Sequence, residues 1–295
     1  MRAMFSAMPW QRNRAALLAC ALAFFSGCGA QLLLRMERQD LDERLLLFLG
    51  GGGNSVVFLD GSRAFVTDTK FGPMARSFRG DVERELGRRV QRLLLTHWHL
   101  DHTGGLGLYR DVNAVIVHPT TRARLEAKGL TASWVEVREG IELFIGGERV
   151  QIRYLGPGHT DGDLVALFVQ RRVLVAGDLL NDGFEPNVDV TSGGEIIALR
   201  ETLERLLALP FDTAVPGHGD LMTRAQVEQV RNYLVALEGA VRRVKDRGAS
   251  EDEAVKTAAV SSEFDGLKPM PFGPNREKNI RLMYRALEAR ADHSP

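Results

Sequence analysis

The sequence predicts a layered α/β fold with a mixed sheet and a helical C-terminal segment, and three observations predict it. Short β-like runs alternate with helical stretches through the middle of the chain. Two of the runs, Leu164 to Val169 and Val173 to Ala176, are separated only by Gln170-Arg171-Arg172, a hairpin-length link that makes them antiparallel neighbours. From residue 223 onward, apolar residues recur at three- and four-residue intervals.

Residues 1–30 stand apart from the body. Arg2, Arg12 and Arg14 precede the apolar run Ala15 to Phe25, which leads into Ser26-Gly27-Cys28. The run is too short for a stable membrane span, and a charged start, short apolar middle and small-residue end describe a secretory signal, to be excluded from the fold. Ser26-Gly27-Cys28 resembles the bacterial lipobox, in which Cys28 would be lipidated and become the mature N-terminus. Phe25 stands where that motif usually has Leu, so ordinary cleavage after Ala30 is the other reading. The expected location is exported, either periplasmic or as a membrane-anchored lipoprotein, with membrane contact only through the N-terminal lipid. Both cysteines, Cys20 and Cys28, fall in this segment, so the body has no disulfide framework.

Residues 31–222 are expected to form the core of a metal-binding domain. Gly50-Gly51-Gly52-Gly53 reads as a linker, followed by β-like runs at Ser55 to Leu59, Ala64 to Thr67, Arg92 to Thr96 and Ala114 to Val117, then the hairpin pair. Ile196, Leu199, Leu203 and Leu206 mark one buried helix face that stops before Pro210. Residues 223–295 are expected to be helices packed on the domain. Thr223 with Gln226 fits a capping box, and Val227, Val230, Leu234, Leu237, Val241 and Val244 make a single stripe before Gly248. Ser250 with Glu253 repeats the start signal, and Ile280, Met283 and Leu287 share a face of a last helix from about Asn275.

With 295 residues, 44% of them hydrophobic, the chain can bury a sizeable core. Lys plus Arg and Asp plus Glu both total 38, which gives no overall field favouring nucleic acid, so none is expected as a partner. Basic runs at Arg88-Arg89 and Arg242-Arg243-Val244-Lys245 read as solvated helix faces.

Thr96-His97-Trp98-His99-Leu100-Asp101-His102-Thr103 packs four metal-binding side chains into six residues directly after an apolar run. In an extended segment alternate side chains share a face, so His97 and His99 can point at one ion while Asp101 and His102 turn toward another. Four more polar positions sit at the ends of β-like runs or in the Gly-rich turns beyond them: Asp68, His159, Asp178 and His218. Singly, each is more often a structural hydrogen-bonder or cap than a ligand; together with the cluster they read as a two-metal hydrolase.

The string HWHLDH, with Asp68, His159, Asp178 and His218, resembles the metallo-β-lactamase superfamily and its HxHxDH signature, with the metal set of its glyoxalase II-like members. The resemblance implies a four-layered αβ/βα sandwich with metals in a cleft at one sheet edge. It implies that His97, His99 and His159 hold one metal, that Asp101, His102 and His218 hold a second, that Asp178 bridges, and that Asp68 supports the ligands from behind. The implied cofactors are two zinc ions, with iron or manganese as alternatives. Two divalent ions against two carboxylates and a bridging hydroxide leave about +1 to stabilise a developing oxyanion, so no serine or cysteine nucleophile is needed. Asp101 and Asp178 are the candidate catalytic carboxylates, as ligands first and as a proton relay second.

The resemblance also implies that true β-lactamases carry Cys or Ser where Asp178 stands. The expected substrate is therefore a small molecule with an ester, thioester, lactone or related acyl bond. The alternatives are a mononuclear iron enzyme of the persulfide dioxygenase kind, a β-lactamase, and a non-catalytic redox partner with a structural site. His118 reads as a structural histidine before a ligand support, and Trp98, Trp134, Phe184 and Phe272 as core before pocket. Asn181, Asp182, Asn187 and Asp189 follow Asp178 in a polar loop that could border the cleft, with no role readable.

Overall fold

A computed structural model describes residues 35–270 and 275–292; the N-terminal signal with Cys28, and Phe272, lie outside them. Two sheets organise the chain. The first is built from β1 (Met36–Asp40), β2 (Leu45–Gly50), β3 (Ser55–Asp60), β4 (Arg63–Thr67), β5 (Arg89–Leu94), β6 (Ala114–Val117) and β7 (Trp134–Glu136), in that spatial order. β1 to β4 form an antiparallel meander, and β4 to β7 run parallel. The parallel connections carry helix α1 (Gly72–Gly80), the short α2 (Leu100–Thr103) and α3 (Pro119–Ala127), as parallel pairing requires crossovers.

The second sheet has the order β13-β12-β11-β10-β9-β8, from β8 (Gly140–Ile145), β9 (Glu148–Tyr154), β10 (Leu164–Phe168), β11 (Val173–Asn181), β12 (Thr213–His218) and β13 (Met222–Thr223). β10 and β11 are antiparallel, while β11 and β12 are parallel with α4 (Ile196–Leu207) between them, so both sheets are mixed. α5 (Arg224–Lys245), α6 (Glu251–Thr257) and α7 (Arg276–Asp292) complete the chain. Thr223 and Ser250 each close a full capping box at the start of α5 and α6. Among the described residues no helix is long and apolar enough to cross a membrane.

Alternation along the strands sorts side chains into three cores. Leu45, Leu47, Val56 and Phe58 meet Ile152, Ala166, Phe168 and Val175 between the sheets. Leu46, Phe48, Val57 and Val66 point the other way, onto Phe78, Val82 and Leu125. On the far side, Val165, Leu167 and Leu174 pack under Leu199, Leu203, Leu234 and Leu237. Helices, sheet, sheet and helices are therefore stacked as a four-layered αβ/βα sandwich.

Gly50 to Gly53 are not a linker. They form the tight turn between β2 and β3, whose strands pair in register Leu45 with Phe58 through Phe48 with Ser55. Gly50, Gly51 and Gly52 all have positive φ, which is how so short a reversal closes. The turn is tied to the end of β12 by Asn54, whose amide donates to Pro216 O and Gly219 O at 3.0 and 2.9 Å. It thereby joins the two sheets at the edge where β4, β5, β11 and β12 end.

Candidate metal centre

All seven histidine and aspartate positions singled out as ligands converge at that edge. His97 lies just past β5, and His99 is the residue before α2, whose single turn presents Asp101 and His102. His159 sits in the loop after β9, and His218 ends β12. Asp178 lies within β11, which continues to Asn181 instead of stopping at Ala176; the register with β12 shifts on either side of Gly177, and the carboxylate follows that irregularity.

The atoms fall into two groups, each with one ligand atom per residue and all within 4.8 Å of one another: His97, His99, His159 and Asp178; and Asp101, His102 and His218. In the first, His99 Nδ1 is 3.1 Å from His97 Nε2 and 2.8 Å from His159 Nε2, and Asp178 Oδ2 is 3.6 Å from His159 Nε2. In the second, Asp101 Oδ2 is 3.0 Å from His218 Nε2 and 3.5 Å from His102 Nε2. Asp178 Oδ1 faces this second group, 3.0 Å from His102 Nε2 and 3.6 Å from His218 Nε2. A four-coordinate ion with metal–nitrogen bonds of about 2.0–2.1 Å sets its ligand atoms about 3.3 Å apart, a value that the separations of 2.8 to 3.6 Å here straddle.

Hydrogen bonds behind the rings fix which nitrogen faces inward. Thr96 Oγ1 donates to Asp68 Oδ2 and so accepts from His97 Nδ1, leaving the His97 Nε2 lone pair toward the cluster. His159 Nδ1 donates to Asn187 O at 2.9 Å, His102 Nδ1 to Asp68 Oδ2 at 2.7 Å, and His99 Nε2 to Asp189 Oδ2 at 3.0 Å. Three imidazole lone pairs in the first group then face one another with no N–H between them, an arrangement relieved by a shared cation. In the second group His102 Nε2 and Asp178 Oδ1 are buried 3.0 Å apart, a pairing that takes either a proton on His102 or a cation between them. The donor set of imidazoles and carboxylates suits zinc, iron or manganese.

Charge follows the same division. Burial, with the neighbouring His102, holds His97 well below the usual histidine pKa, and burial lowers His159 as well. For His102, burial works against the charged form, but Asp101, Asp178 and Asp68 outweigh it and raise the pKa well above its usual value. Burial opposes ionisation of Asp101 too, yet His102 and His218 bring it down to about 2. Asp101 keeps 36% of its side chain exposed and His99 and His218 23% each, so solvent reaches the centre past these three.

Two glycines make the close packing possible. A Cβ on Gly53 would lie 2.1 Å from the His102 ring, and one on Gly217 would lie 1.8 Å from Asp178 Oδ1. Beneath the turn, Lys70 Nζ donates to Phe48 O, Gly50 O and Gly53 O at 2.5, 2.8 and 2.8 Å, using all three ammonium hydrogens. Burial pushes the Lys70 pKa down to about 7, with the Asp68 charge working the other way. Nothing in the sequence pattern distinguished Lys70 from a surface lysine.

Asp189 and Asn187, read only as loop residues, turn out to orient two histidines. Burial works against the Asp189 charge, but hydrogen bonds from Ser192, Thr191 and His99 hold its carboxyl well below the usual range. His118 caps α3 and stacks on Tyr154 with ring centres 4.3 Å apart, a structural role. Trp98 and Trp134 pack against the first sheet's helix-side core, and Phe184 bridges to Lys268.

Known proteins match over the same region. The sequence model described as Metallo-beta-lactamase superfamily matches residues 49–218. The α subunit of 2,4-dinitroanisole O-demethylase from Nocardioides sp. (strain JS1661) is 30% identical over 168 residues, 55% of this chain and 51% of that protein. The chain thus matches about half the length of that relative. A Metallo-beta-lactamase type 2 from Bacteroides fragilis is 27% identical over 186 residues, 61% of this chain and 74% of that protein. Among solved structures, a metallo-beta-lactamase from Pontibacter korlensis has a TM-score of 0.62 at 19% identity, covering 68% of this chain and 99% of that one, a likeness of fold.

Proposed function

Because the chain belongs to the metallo-β-lactamase superfamily of metal-dependent hydrolases, we propose that it is a two-metal, zinc-type hydrolase of an ester, thioester, lactone or related acyl bond. One observation carries the reading: Asp178 presents Oδ2 to the first ligand group and Oδ1 to the second, the placement of a bridging ligand. In this reading His97, His99 and His159 hold one ion, and Asp101, His102 and His218 the other. Bound divalent ions would supply Lewis acidity and an activated water.

The remaining chemistry belongs to the chain. Asp68, Asn187 and Asp189 keep the imidazole lone pairs aimed inward, so the ligands need no reorganisation. Among the described residues Asp101 and Asp178 are the only carboxylates in the ligand groups, so a site holding two dications would stay positive toward the oxygen of a polarised acyl group. Asp101, the more exposed of the two, lies on the side from which solvent reaches the centre.

Relatives with lactamase names keep β-lactams among the substrates to assay, although the resemblance puts Cys or Ser in those enzymes where Asp178 stands. The test is a hydrolysis panel with zinc-reconstituted protein covering thioesters, lactones, simple esters, β-lactams, phosphodiesters and 2,4-dinitroanisole, named in a relative. A rate on one acyl class, lost in Asp178→Ala, supports the reading. One iron per chain with persulfide-dependent oxygen uptake and no hydrolysis overturns it. Export belongs to the same proposal, and the mass of the mature N-terminal peptide separates lipidated Cys28 from cleavage after Ala30.

A further inference from the structure

We infer that Arg276 and Asn279, on the C-terminal helix α7, are positioning residues for the His97–His99–His159 half of the metal centre. The inference rests on the metal-binding reading of that site, and its carrier is the segment from Gly183 to Asp189 between β11 and α4. At its site end, Asn187 O accepts from His159 Nδ1 and Asp189 Oδ2 from His99 Nε2, at 2.9 and 3.0 Å. Asp189 N also donates to His159 O at 2.9 Å. Two of the three histidines are therefore aimed by this one segment.

The other end of the segment is clamped to the C-terminal helices. Asn279 Nδ2 donates to Pro186 O at 3.1 Å, one residue from the carbonyl that orients His159. Arg276 Nε donates to Glu185 Oε1 at 3.1 Å, while its other nitrogens hold Asp265 and Phe264 O. A backbone bridge completes the clamp, with Glu185 N donating to Lys268 O and Lys268 N to Gly183 O, both at 2.9 Å. Most of the clamp is buried: Asn279 is fully buried and Glu185 is 2% exposed, with Arg276 at its solvent side. Loss of the Asn279 bond in so buried a place leaves Pro186 O without its donor and loosens the backbone that carries Asn187.

Docking of α7 also has an apolar part. Ile280, Met283 and Leu287 lie in the core shared with α4 and α5. A control on the same helix is therefore available, because Met283→Ala weakens docking without touching the clamp.

The experiment compares the full-length protein with Asn279→Ala, Arg276→Gln and Met283→Ala. Each is titrated with zinc while both affinities are resolved, and solvent exchange of the His99 ring N–H is followed by nitrogen NMR. In Asn279→Ala and Arg276→Gln one zinc should weaken by about 10-fold or more, the other should hold, and the His99 proton should exchange faster. Met283→Ala should lower Tm and leave both affinities unchanged. Unchanged affinities in both polar variants, or the same zinc loss in Met283→Ala at equal loss of Tm, overturns the inference alone. A wild-type protein that takes up no zinc overturns the metal reading and this inference with it.

Discussion

Asp68 Oδ2 lies 2.7 Å from His102 Nδ1 with both side chains buried, and that bond settles which nitrogen of His102 faces Asp101 and Asp178. Asp68 itself sits at φ 55, a conformation few non-glycine residues adopt, and is held by Thr96 N and Thr96 Oγ1, each at 2.8 Å. The strain, of order 1–3 kcal/mol, is offset by three bonds to one carboxylate.

Asp68→Asn tests this bond with the backbone kept, since asparagine tolerates positive φ. The variant should stay folded and bind zinc about 10- to 100-fold more weakly at the second ligand group. Zinc content after dialysis measures it. Retention of both ions at wild-type affinity would show that His102 needs no such support.

Gly217→Ala tests the close approach to Asp178. The added methyl must displace the Asp178 carboxylate or the β12 backbone, because it would fall 1.8 Å from Oδ1 and 2.9 Å from Asp178 N. Loss of zinc and activity comparable with Asp178→Ala is expected, and normal zinc content with normal turnover would contradict the packing argument.

Protonation sets a pH dependence with a definite sign. His102 is raised above the usual histidine value of 6.5 by Asp101, Asp178 and Asp68 against the effect of burial, and His218 is raised in the same way, with Asp178 the largest favourable influence. In the metal-free protein these protons stabilise the fold fully below the unfolded value, and that stability is lost as pH rises through the higher folded values. Metal ligation requires neutral imidazole, so zinc must release protons and bind more weakly as pH falls. Calorimetric titration at pH 7 in buffers of different ionisation enthalpy should count released protons, and a count of zero contradicts the assignment.

Much of the site was legible because HWHLDH is local, and because His159 and His218 stand beside glycines in turns that follow β-like runs. What was not legible is long-range. Asp189 acts on His99 ninety residues away and Asn187 on His159 through a carbonyl, which has no residue signature. In the fold, β2 has no strand signature because Leu45 to Phe48 is buried on both faces and shows no alternation, whereas β9 does carry one in the alternation of Val150 and Ile152. The glycine run at 50–53 read as a linker because composition alone does not separate a flexible tether from a turn held by Lys70 and Asn54.

Leu203→Ala separates stability from the site. Leu203 is fully buried on α4, in the apolar core that it shares with Leu174 and Ala176 of β11, and is not one of the seven ligands or their hydrogen-bond partners. The substitution should cost about 2–5 kcal/mol in urea unfolding while leaving zinc affinity unchanged. A zinc loss matching that of Asp68→Asn would mean that the ligands depend on global stability and not on their own supports.

The central claim is that Asp178 stands between two cations. Anomalous diffraction from zinc-loaded crystals, collected at the metal edge, tests it most directly. Two peaks about 3.5–4 Å apart are predicted, one among His97, His99 and His159 and the other among Asp101, His102 and His218, with Asp178 touching both. A single peak, or peaks that leave Asp178 uncoordinated, would contradict the account.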